Sequence, residues 1–511
     1  MPSVTTIEAS NYYDSVVLMR VASQLKKEAG VIEVALFMGT QGNHELLNQV
    51  GLATVESRLA GPGDLIIIVK AESENLAKKI SSSAVQMLVA GKETDHTTLD
   101  YHPRTLDRAM DYLPDATVAA ISIPGEFASR EAFRCLNKNL NVFLFSDNVS
   151  LSDELKLKKR ALENGLLCMG PDCGTTYLNG AGLGFSNKVK RGSVGCVAAS
   201  GTGLQAVMCR LDQLGEGVSH AIGVGGRDLS KEIGGIMTHH VLQMLDQDPR
   251  TDIIILVSKP PHPEVHETLN ETIKGIQTPV IAYFQGTWMP TTAAAQAETL
   301  DGAADLAVSY LKQYQFADQL FEDPHQVRTL LKNAGHSDAG KRVIGLYAGG
   351  TLAKEAQTLI RAMVGNVSEV IDEQECHIIT DLGDDQYTVG KPHPMIAPEN
   401  RTEILLKMAE NGALEKCGAL LFDLVLGYGS HDDPSAELVT SLGLLKKRFG
   451  ISVPVVVAII GTEDDPQSLS RQMNTLKEFG AVVFRKNSEA ARFAAMVADP
   501  ARCADIVEKI T

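Results

Sequence analysis

The chain has 511 residues, of which 44% are hydrophobic, and its formal net charge is −16. This acidic balance argues against a nucleic-acid or anionic-membrane surface, and the length favours two to four domains. The sequence has no run of about 18 apolar residues and no signal-peptide pattern, and none of its eight cysteines forms a C-x-x-C pair. We therefore expect a cytoplasmic protein with reduced thiols and no membrane contact.

Short apolar runs alternate with helix-period segments along the whole chain. The runs are VIEVALFM, DLIIIVK, TVAAISI, NVFLF, SVGCVAA, DIIILVS, PVIAYF, RVIGLYA, HIITDL, GALLFDLV and VPVVVAII. Such runs, near-continuous in Val, Ile and Leu, are typical of parallel strands buried on both faces. Between them lie segments such as 150–165, where Ser150 or Ser152 is a suitable N-cap and Gly165 a suitable C-cap. The alternation predicts an α/β protein with doubly wound parallel sheets.

Three α/β units and one linker follow from this order. Residues 1–187 form the first unit, which includes the strand-loop-helix pattern VALFMGTQGNHELLNQVG. Residues 188–312 form the second unit and 342–511 the third, and the polar segment 313–341 connects them. The second and third units share the succession of strand, small-residue turn, helix, and strand with a Gly/Asp loop. We therefore interpret them as diverged copies.

Each copy begins with a small-residue turn that starts a helix. The turns are Ser200-Gly201-Thr202-Gly203 in the second unit and Gly349-Gly350-Thr351 in the third. A helix N-terminus offers unpaired N–H groups and a partial positive charge, and glycine lets a phosphate approach the backbone. Two such ends facing one another would hold an anion without lysine. The alternative is that both turns are packing corners, because neither matches a phosphate-loop or dinucleotide-binding pattern in full.

Ordered motifs in these units resemble succinyl-CoA synthetase. GPDCGT, ASGTG, GVGGRDL and DPRTDIIILVS resemble motifs of its α subunit, and AGGTLAKEA followed by ITDLGDDQ resembles the C-terminal ligase domain of its β subunit. FSDNV, MGPDCGT, GGRDLS, GGTLA, DLGDD and GKPHPMI match the FdrA family of acyl-CoA synthetase-like proteins, over almost the whole chain. The resemblance implies a Rossmann-like N-terminal domain of the CoA-binding type, followed by two flavodoxin-like ligase-type domains. It also implies that the two helix starts hold a phosphate group.

Two parts of succinyl-CoA synthetase have no counterpart in this sequence. The region IAYFQGTWMPTTAAAQAETL lacks the histidine that is phosphorylated in that family, and no ATP-grasp domain is recognised. The resemblance therefore implies acyl or carbamoyl transfer to or from phosphate, with phosphate as co-substrate, and it leaves CoA binding open. Through the FdrA family it also implies the oxamate carbamoyltransferase step of purine and allantoin degradation, with separate partner subunits in a homo- or hetero-oligomer.

Three residues are catalytic candidates. They are His393 between two prolines, Asp384 in a Gly/Asp loop, and Arg227 in GGRDLS. His393 would act as an acid or base or hold phosphate, and Asp384 would accept N–H bonds from a carbamoyl or amide group. Arg227 would bind a carboxylate or phosphate with its planar fork. The structural alternatives are a loop histidine, a helix-capping acid, and a surface ion pair between Arg227 and Asp228.

The first unit and the GPDCGT turn supply candidates for CoA or acyl binding. Gly39, Thr40 and Gly42 in FMGTQGN occupy the place of the CoA loop in the resembling domain, and Asp172 lies in GPDCGT. Neighbouring Cys173 is a candidate nucleophile, but the resembling turn has a cysteine there that does not react. No histidine pair of the sequence was found with acids at metal-ligand spacing, so no metal site is expected.

Two other functions stay open on the sequence alone. One is a non-catalytic scaffold subunit that keeps the fold and binds partner proteins. The other is a CoA ligase subunit, similar to that of succinate–CoA ligase, which needs a separate nucleotide-binding partner. A scaffold would tolerate alanine at Ser200, Thr202 and Thr351 without losing small-molecule binding, so these substitutions separate it from both enzymes.

Overall fold

A computed structural model describes residues 2–13, 15–49, 51–94, 103–317, 319–334, 341–371, 375–388 and 391–510. By compactness the chain divides into two units. The first unit consists of residues 1–117, 122–124 and 385–397, and the second consists of 118–121, 125–384 and 398–511. Within the described ranges, no helix combines the length and the apolar composition that crossing a membrane requires.

The first unit is built on a three-stranded antiparallel sheet. Its elements are β1 (Ser3–Glu8), α1 (Ser15–Lys26), β2 (Val31–Met38), α2 (Gln41–Gln49), a 3-10 helix (Ser57–Leu59), β3 (Leu65–Ala71), α3 (Glu74–Thr94) and α4 (Leu106–Tyr112). The strand order is β1-β3-β2, and both neighbouring pairs are antiparallel. The prediction that the β2 and β3 runs are parallel strands is therefore wrong.

The reason for this error lies in how the central strand β3 is covered. On one face, Leu65, Ile67 and Val69 pack in a core with residues of α1 and α3. On the other face, Ile66 and Ile68 pack in a second core with residues of α2 and the segment that follows it. A strand covered on both faces has a continuous apolar run whatever the direction of its neighbours. A continuous apolar run therefore indicates that both faces of the strand are buried, and it does not indicate that the neighbouring strands are parallel.

The second unit contains the remaining strands and all but one of the remaining helices. Its strands are β4 (Val118–Ile121), β5 (Asn141–Leu144), β6 (Cys168–Met169), β7 (Thr175–Leu178), β8 (Ala181–Gly184), β9 (Arg191–Ala198), β10 (Val218–Gly223), β11 (Ile253–Ser258), β12 (Val280–Phe284), β13 (Ala295–Ala297), β14 (Arg342–Tyr347), β15 (Val367–Ser368), β16 (His377–Asp381), β17 (Cys417–Val425), β18 (Val455–Ile460) and β19 (Val482–Phe484). Its helices are α5 (Gly125–Asn137), α6 (Leu151–Glu163), α7 (Gly201–Gln213), α8 (Ile236–Gln247), α9 (Pro263–Lys274), α10 (Leu300–Lys312), α11 (Pro324–Ala334), α12 (Gly350–Val364), α14 (Glu399–Glu410), α15 (Pro434–Phe449), α16 (Leu469–Phe479), α17 (Asn487–Ala498) and α18 (Ala504–Ile510), while the short α13 (Asp385–Thr388) belongs to the first unit.

Parallel pairing dominates the three sheets of the second unit, as predicted. Strands β4, β5 and β6 form a small parallel sheet, and β15-β16-β14-β17-β18-β19 form a wholly parallel one. In the seven-stranded sheet β13-β12-β11-β9-β10-β7-β8, the strands from β13 to β10 are parallel, and β7 and β8 are antiparallel additions. The chain is an α/β protein.

The two larger sheets share one topology around a central strand. In the seven-stranded sheet, β9 lies between β10 and β11, and in the six-stranded sheet β14 lies between β16 and β17. The chain order reverses at β9 and at β14, so each is the switch point of its sheet, and ligands of open α/β sheets bind beyond such points. The shared strand order supports the interpretation that residues 188–312 and 342–511, which both lie mostly in the second compact unit, are diverged copies.

The observed elements differ from the predicted segments in two places. The expected boundary at residue 187 does not separate two sheets, because β7 and β8 pair into the same sheet as β9. The segment 313–341, predicted to be a linker, contains the helix α11 and the buried ring of Phe321. Phe321 packs against Phe484, so part of this segment belongs to the core of the second unit.

Candidate functional site

The starts of α7 and α12 are in direct contact. The hydroxyl oxygens of Ser200 and Thr351 lie 2.5 Å apart. A Cβ added to Gly349 would lie 3.0 Å from the side chain of Thr202, so this side chain packs closely against the backbone of Gly349. We call residues 200–203 and 349–351 the two-helix cradle. Its two parts each follow the central strand of a sheet, and their first helical turns converge.

The two helix starts differ in how their N–H groups are satisfied. In α7, the Ser200 hydroxyl is the N-cap and accepts the N–H of Gly203 at 3.1 Å. The N-cap of α12 is Gly349, and in the part of the chain that the structure describes no side chain caps this helix. The first-turn N–H groups of α12 are therefore donors without a capping side chain, which is a favourable arrangement for an anion.

A buried ion pair fixes the turn that precedes α12. The carboxylate of Asp423 on β17 accepts the N–H groups of Ala348 at 2.7 Å and Gly349 at 2.8 Å. The Arg401 guanidinium donates to the same carboxylate at 2.9 Å, and both side chains are buried. Burial raises the pKa of Asp423, against the opposing pull of Arg401. Asp423 thus holds the turn in place and leaves the N–H groups beyond Gly349 to the cradle.

Asp381 lies beside the cradle and was not singled out from the sequence. It is the last residue of β16, and its Oδ1 accepts the N–H of Gly383 at 2.8 Å. A Cβ on Gly350 would lie only 2.4 Å from its Oδ2, so this carboxyl group abuts the first turn of α12. Burial raises the pKa of Asp381 to about 7. The sequence shows only a carboxyl group at the end of an apolar run, and the pairing of β14 with β16 that brings it to the cradle has no local signal.

Two buried hydroxyl groups lie close to the α7 turn without a hydrogen-bond partner among the described residues. Thr175 Oγ1 lies 3.3 Å from the position of a Cβ on Gly201, and Ser258 ends β11 next to the residues that precede Ser200. Thr175 is 1% exposed and Ser258 is 2% exposed. Buried hydroxyl groups normally have partners, so these two indicate a ligand or water at this place.

Arg227 has partners other than the cradle residues. Its Nη2 lies 2.7 Å from Glu154 Oε2 and donates to the carbonyl of Val149 at 2.8 Å. The structural alternative, an ion pair with Asp228, is not formed, because Asp228 pairs with the buried Lys158 at 2.7 Å. Burial alone would lower the pKa of Lys158, but the carboxylates of Asp228 and Glu154 raise it. Arg227 therefore ties its loop to α6, and a role in ligand binding stays a prediction.

The other catalytic candidates lie in different environments. Asp384 is exposed, three residues beyond Asp381. His393 lies in the segment 385–397 of the first unit, whereas the cradle belongs to the second. Its Nδ1 accepts the N–H of Met395 at 3.2 Å, and its carbonyl accepts the N–H groups of two following residues. These bonds describe an ordered turn, and the catalytic roles of Asp384 and His393 stay predictions.

The CoA candidates of the first unit form the start of α2. A Cβ on Gly39 would lie 2.4 Å from the carbonyl oxygen of Gly61, so close packing accounts for glycine there. Thr40 is buried, and its Oγ1 accepts the N–H of Asn43 at 3.4 Å. A Cβ on Gly42 would meet no atom within 4 Å. Packing and capping explain Gly39 and Thr40, and CoA binding at this loop stays a prediction.

The GPDCGT turn lies beside the start of α7, because a Cβ on Gly201 would lie 3.7 Å from the Cα of Gly174. Asp172 is exposed, has a left-handed backbone with φ 55°, and donates its N–H to the carbonyl of Ser146. Cys173 is buried, and burial raises the pKa of its thiol to about 11. A thiol with so high a pKa is not a nucleophile near neutral pH. The structural role of Cys173 is thus favoured, while acyl binding by Asp172 stays a prediction.

One side-chain cluster has the composition of a metal site. One possible ligand atom each of Glu399, His431 and Glu437 lies within 4.8 Å of the others. However, His431 Nδ1 accepts the N–H of Asp433 at 3.1 Å, which leaves the proton of a neutral ring on Nε2. In this arrangement the imidazole offers no lone pair to an ion. We assign no metal to the cluster, and the absence of metal stays a prediction.

Solved structures share only a weak overall likeness with the chain. ATP citrate lyase from Methanothrix soehngenii, solved with citrate and coenzyme A, is 14% identical with a TM-score of 0.34 and covers 80% of this chain and 81% of its own. The dinucleotide-forming acetyl-coenzyme A synthetase 1 of Ca. Korarchaeum cryptofilum is 17% identical with a TM-score of 0.29, covering 77% and 85%. We draw no conclusion about the site from these values.

Three family models match separate parts of the sequence. The CoA-ligase model matches residues 346–497, and the CoA binding domain model matches residues 189–286. The sequence interpretation placed a domain of the CoA-binding type in residues 1–187, so the match falls on the second predicted unit instead. A third model, the heavy metal-associated domain of AllF, matches residues 1–102. The two halves of the cradle therefore fall in the CoA-binding and CoA-ligase regions.

The name of the third family raises the question of a heavy-metal site in residues 1–102. That region contains no cysteine, and the first cysteine of the chain is Cys135. Soft thiolate ligands are what heavy metals prefer in proteins. Among the described residues of the region, His44 is occupied, because its Nε2 bonds to the carbonyl of Ala60 at 3.0 Å. The residues do not fit a heavy-metal site, and we assign none.

Relatives of known sequence identify the family. The α subunit 2 of the ADP-forming succinate–CoA ligase of Archaeoglobus fulgidus is 29% identical over 183 residues, which are 34% of this chain and 61% of that subunit. The Escherichia coli K12 protein YahF is 36% identical over 511 aligned positions, covering 93% of this chain and 95% of YahF. Together with the CoA-ligase and CoA-binding matches, this shows that the chain belongs to the family of YahF, the FdrA-like proteins of the succinyl-CoA synthetase superfamily.

Proposed function

We propose that the two-helix cradle binds phosphate and that the protein transfers an acyl or carbamoyl group between a carrier and that phosphate. The observation that carries this proposal is the 2.5 Å contact between the hydroxyl groups of Ser200 and Thr351, which joins the two first turns. The uncapped start of α12 adds donors at the same place within the described structure. The match of residues 346–497 to the CoA-ligase family supports an enzyme of acyl chemistry.

The roles of the cradle residues follow from their chemistry. The N–H groups of both first turns, with the hydroxyl groups of Thr202 and Thr351, would hold the phosphate oxygens. One phosphate oxygen attacks the acyl carbon, the bond from that carbon to the carrier breaks, and the carrier leaves with a proton. The balance is acyl–X + HPO4²⁻ → acyl–OPO3²⁻ + X–H. Because Asp423 already fixes the turn, phosphate binding needs little reorganisation.

The narrower form of the proposal concerns the transferred group. The FdrA resemblance implies carbamoyl transfer from oxalurate to phosphate, which yields oxamate and carbamoyl phosphate. The match of residues 1–102 to the AllF domain supports this version. Neither carbamoyl phosphate nor oxamate requires CoA, so a response to carbamoyl phosphate without CoA would favour it.

A second candidate is a CoA ligase subunit that acts with a separate nucleotide-binding partner. It is favoured by the match of residues 189–286 to the CoA binding domain and by the relationship to the Archaeoglobus fulgidus α subunit. In this version CoA itself would bind the isolated chain. Thermal unfolding with CoA, acyl-CoA or carbamoyl phosphate separates the two candidates, because a ligand of the native state raises the midpoint.

Calorimetric titration with phosphate and with carbamoyl phosphate tests the cradle. Gly350→Val places a side chain where Asp381 and the first turn of α12 meet, and we expect at least a tenfold loss of affinity, about 1.4 kcal/mol. Gly443→Val is the matched control, because a Cβ there meets no atom within 4 Å. If the folded Gly350→Val protein binds both anions as tightly as the parent, the cradle is a packing corner and a scaffold role is favoured.

A further inference from the structure

We infer that Asp381 is the proton-uptake group of the cradle: its carboxyl group is neutral whenever an anion occupies the two helix starts. Phosphate binding would then take up a proton at this residue. The inference rests on the proposed anion site and adds a regulatory property to it. It predicts that the protein binds anions more weakly as the pH rises, because the side chain of Asp381 loses its proton.

Asp381 lies beside the first turn of α12. Its Oδ2 lies 2.4 Å from where a Cβ on Gly350 would be, at the first residue of α12. An anion held by the first-turn N–H groups of α12 would therefore lie next to this carboxyl group. A bound anion and an ionised carboxylate that lie next to each other repel strongly in a partly buried site. A neutral carboxyl group removes that repulsion and can donate its own proton to an anion oxygen.

Among the described residues, the charged groups that act most strongly on Asp381 include no cation within the cradle. Its charged neighbours are Asp423 on β17, Asp384 on its own loop, and the exposed Lys259 after β11. Arg401 is already paired with Asp423. Burial, with the charges of Asp423 and Asp384, raises the pKa of Asp381 to about 7, while the Gly383 N–H bond and Lys259 act in the opposite direction. A bound anion would raise this pKa further.

A second observation points independently to a ligand beside the two turns. The hydroxyl groups of Thr175 and Ser258 are almost completely buried and have no partner among the described residues. Thr175 Oγ1 faces the start of α7, and Ser258 ends the strand next to the one that leads into Ser200. Donors of this kind suit the oxygens of an anion. The site is thus more than the end of a single helix.

The test is the pH dependence of sulfate binding between pH 6 and pH 8.5. Sulfate keeps its charge over this range, so a change in affinity reports the protein and not the ligand. We expect the parent affinity to fall about tenfold per pH unit above pH 7, as uptake of one proton requires. The affinity of Asp381→Asn for sulfate should change by less than about twofold over the same pH range. Asp252→Asn, an exposed acid before β11 at the opposite end of the strand, should behave as the parent.

Two results would overturn the role of Asp381 and leave the anion site intact. One is a sulfate affinity of folded Asp381→Asn that depends on pH as in the parent. The other is a sulfate affinity of the parent that does not change with pH. If neither protein binds sulfate or phosphate at pH 6, the anion site itself is wrong and the inference fails with it. Circular dichroism verifies folding.

Discussion

Ser200 and Thr351 are separated by 151 positions in the sequence, and their hydroxyl oxygens lie 2.5 Å apart. Each belongs to the turn that follows the central strand of its own sheet. Ser200 also caps α7 through the N–H of Gly203. The contact therefore couples the two diverged copies at the point where each sheet would bind a ligand. Such a coupling between distant segments can be measured directly.

A double-mutant cycle on Ser200→Ala and Thr351→Ala measures this coupling. We expect each single substitution to destabilise the protein by about 0.5 to 2 kcal/mol, with the larger cost at Ser200 because its helix cap is lost as well. The coupling energy should be about 0.5 to 1.5 kcal/mol, as for one hydrogen bond. Urea unfolding gives the free energies. Strict additivity of the two changes would show that the hydroxyl contact contributes nothing.

Asp381→Asn should stabilise the protein at high pH. The folded-state pKa of Asp381 is raised from 3.8 to about 7, so between these values the native state holds a proton that the unfolded state has released. The parent therefore loses stability as the pH rises from about 4 through 7, by up to about 4 kcal/mol at completion. The variant lacks this loss, so its advantage in unfolding midpoint should grow from pH 5 to pH 8. An advantage that does not change with pH would contradict the raised pKa.

The position of the cradle could be predicted from the sequence, and its acid could not. The turns at Ser200 and Gly349 are local signals, because an apolar run followed by small residues and a helix period marks a strand-helix turn. Asp381 has no such signal, since only the pairing of β14 with β16 brings its carboxyl group to Gly350. The more conspicuous acid of the same loop, Asp384, is exposed instead. Tertiary pairing decided which carboxyl group reaches the site.

The fold, like the site, could be predicted where the signal is local and could not be predicted where tertiary contacts decide. The parallel sheets around β9 and β14 were expected because their strands are apolar throughout. The antiparallel pairing of β2 and β3 was missed because helices cover both faces of that sheet, which gives the same apolar pattern. Similarly, the structural alternative for Arg227 was a surface ion pair with Asp228, but the buried Lys158 from α6 pairs with Asp228 and Arg227 pairs with Glu154. Lys158 is separated from Asp228 by 70 positions, and no local pattern predicts the pair.

Breaking the buried pair of Asp423 and Arg401 should be costly. Arg401→Met leaves a buried carboxylate with only two backbone donors, and we expect a loss of about 3 to 5 kcal/mol in unfolding free energy. Lys231→Ala, which breaks an exposed pair with Glu264, is the control and should cost less than about 1 kcal/mol. Because Asp423 fixes the turn before α12, phosphate affinity should fall as well. Equal stability of the two variants would show that the buried pair does not hold the turn.

The isolated chain should form no phosphohistidine from ATP. The segment 281–300, which takes the place of the phosphorylated loop of succinyl-CoA synthetase, contains no histidine. His393 belongs to a different compact unit from the cradle and is held in a turn by its own Nδ1. Incubation of the purified protein with γ-labelled ATP should therefore leave no acid-labile label, and His393→Gln should behave as the parent does. Label that is lost in His393→Gln would show that His393 is phosphorylated, and the direct use of phosphate would have to be abandoned.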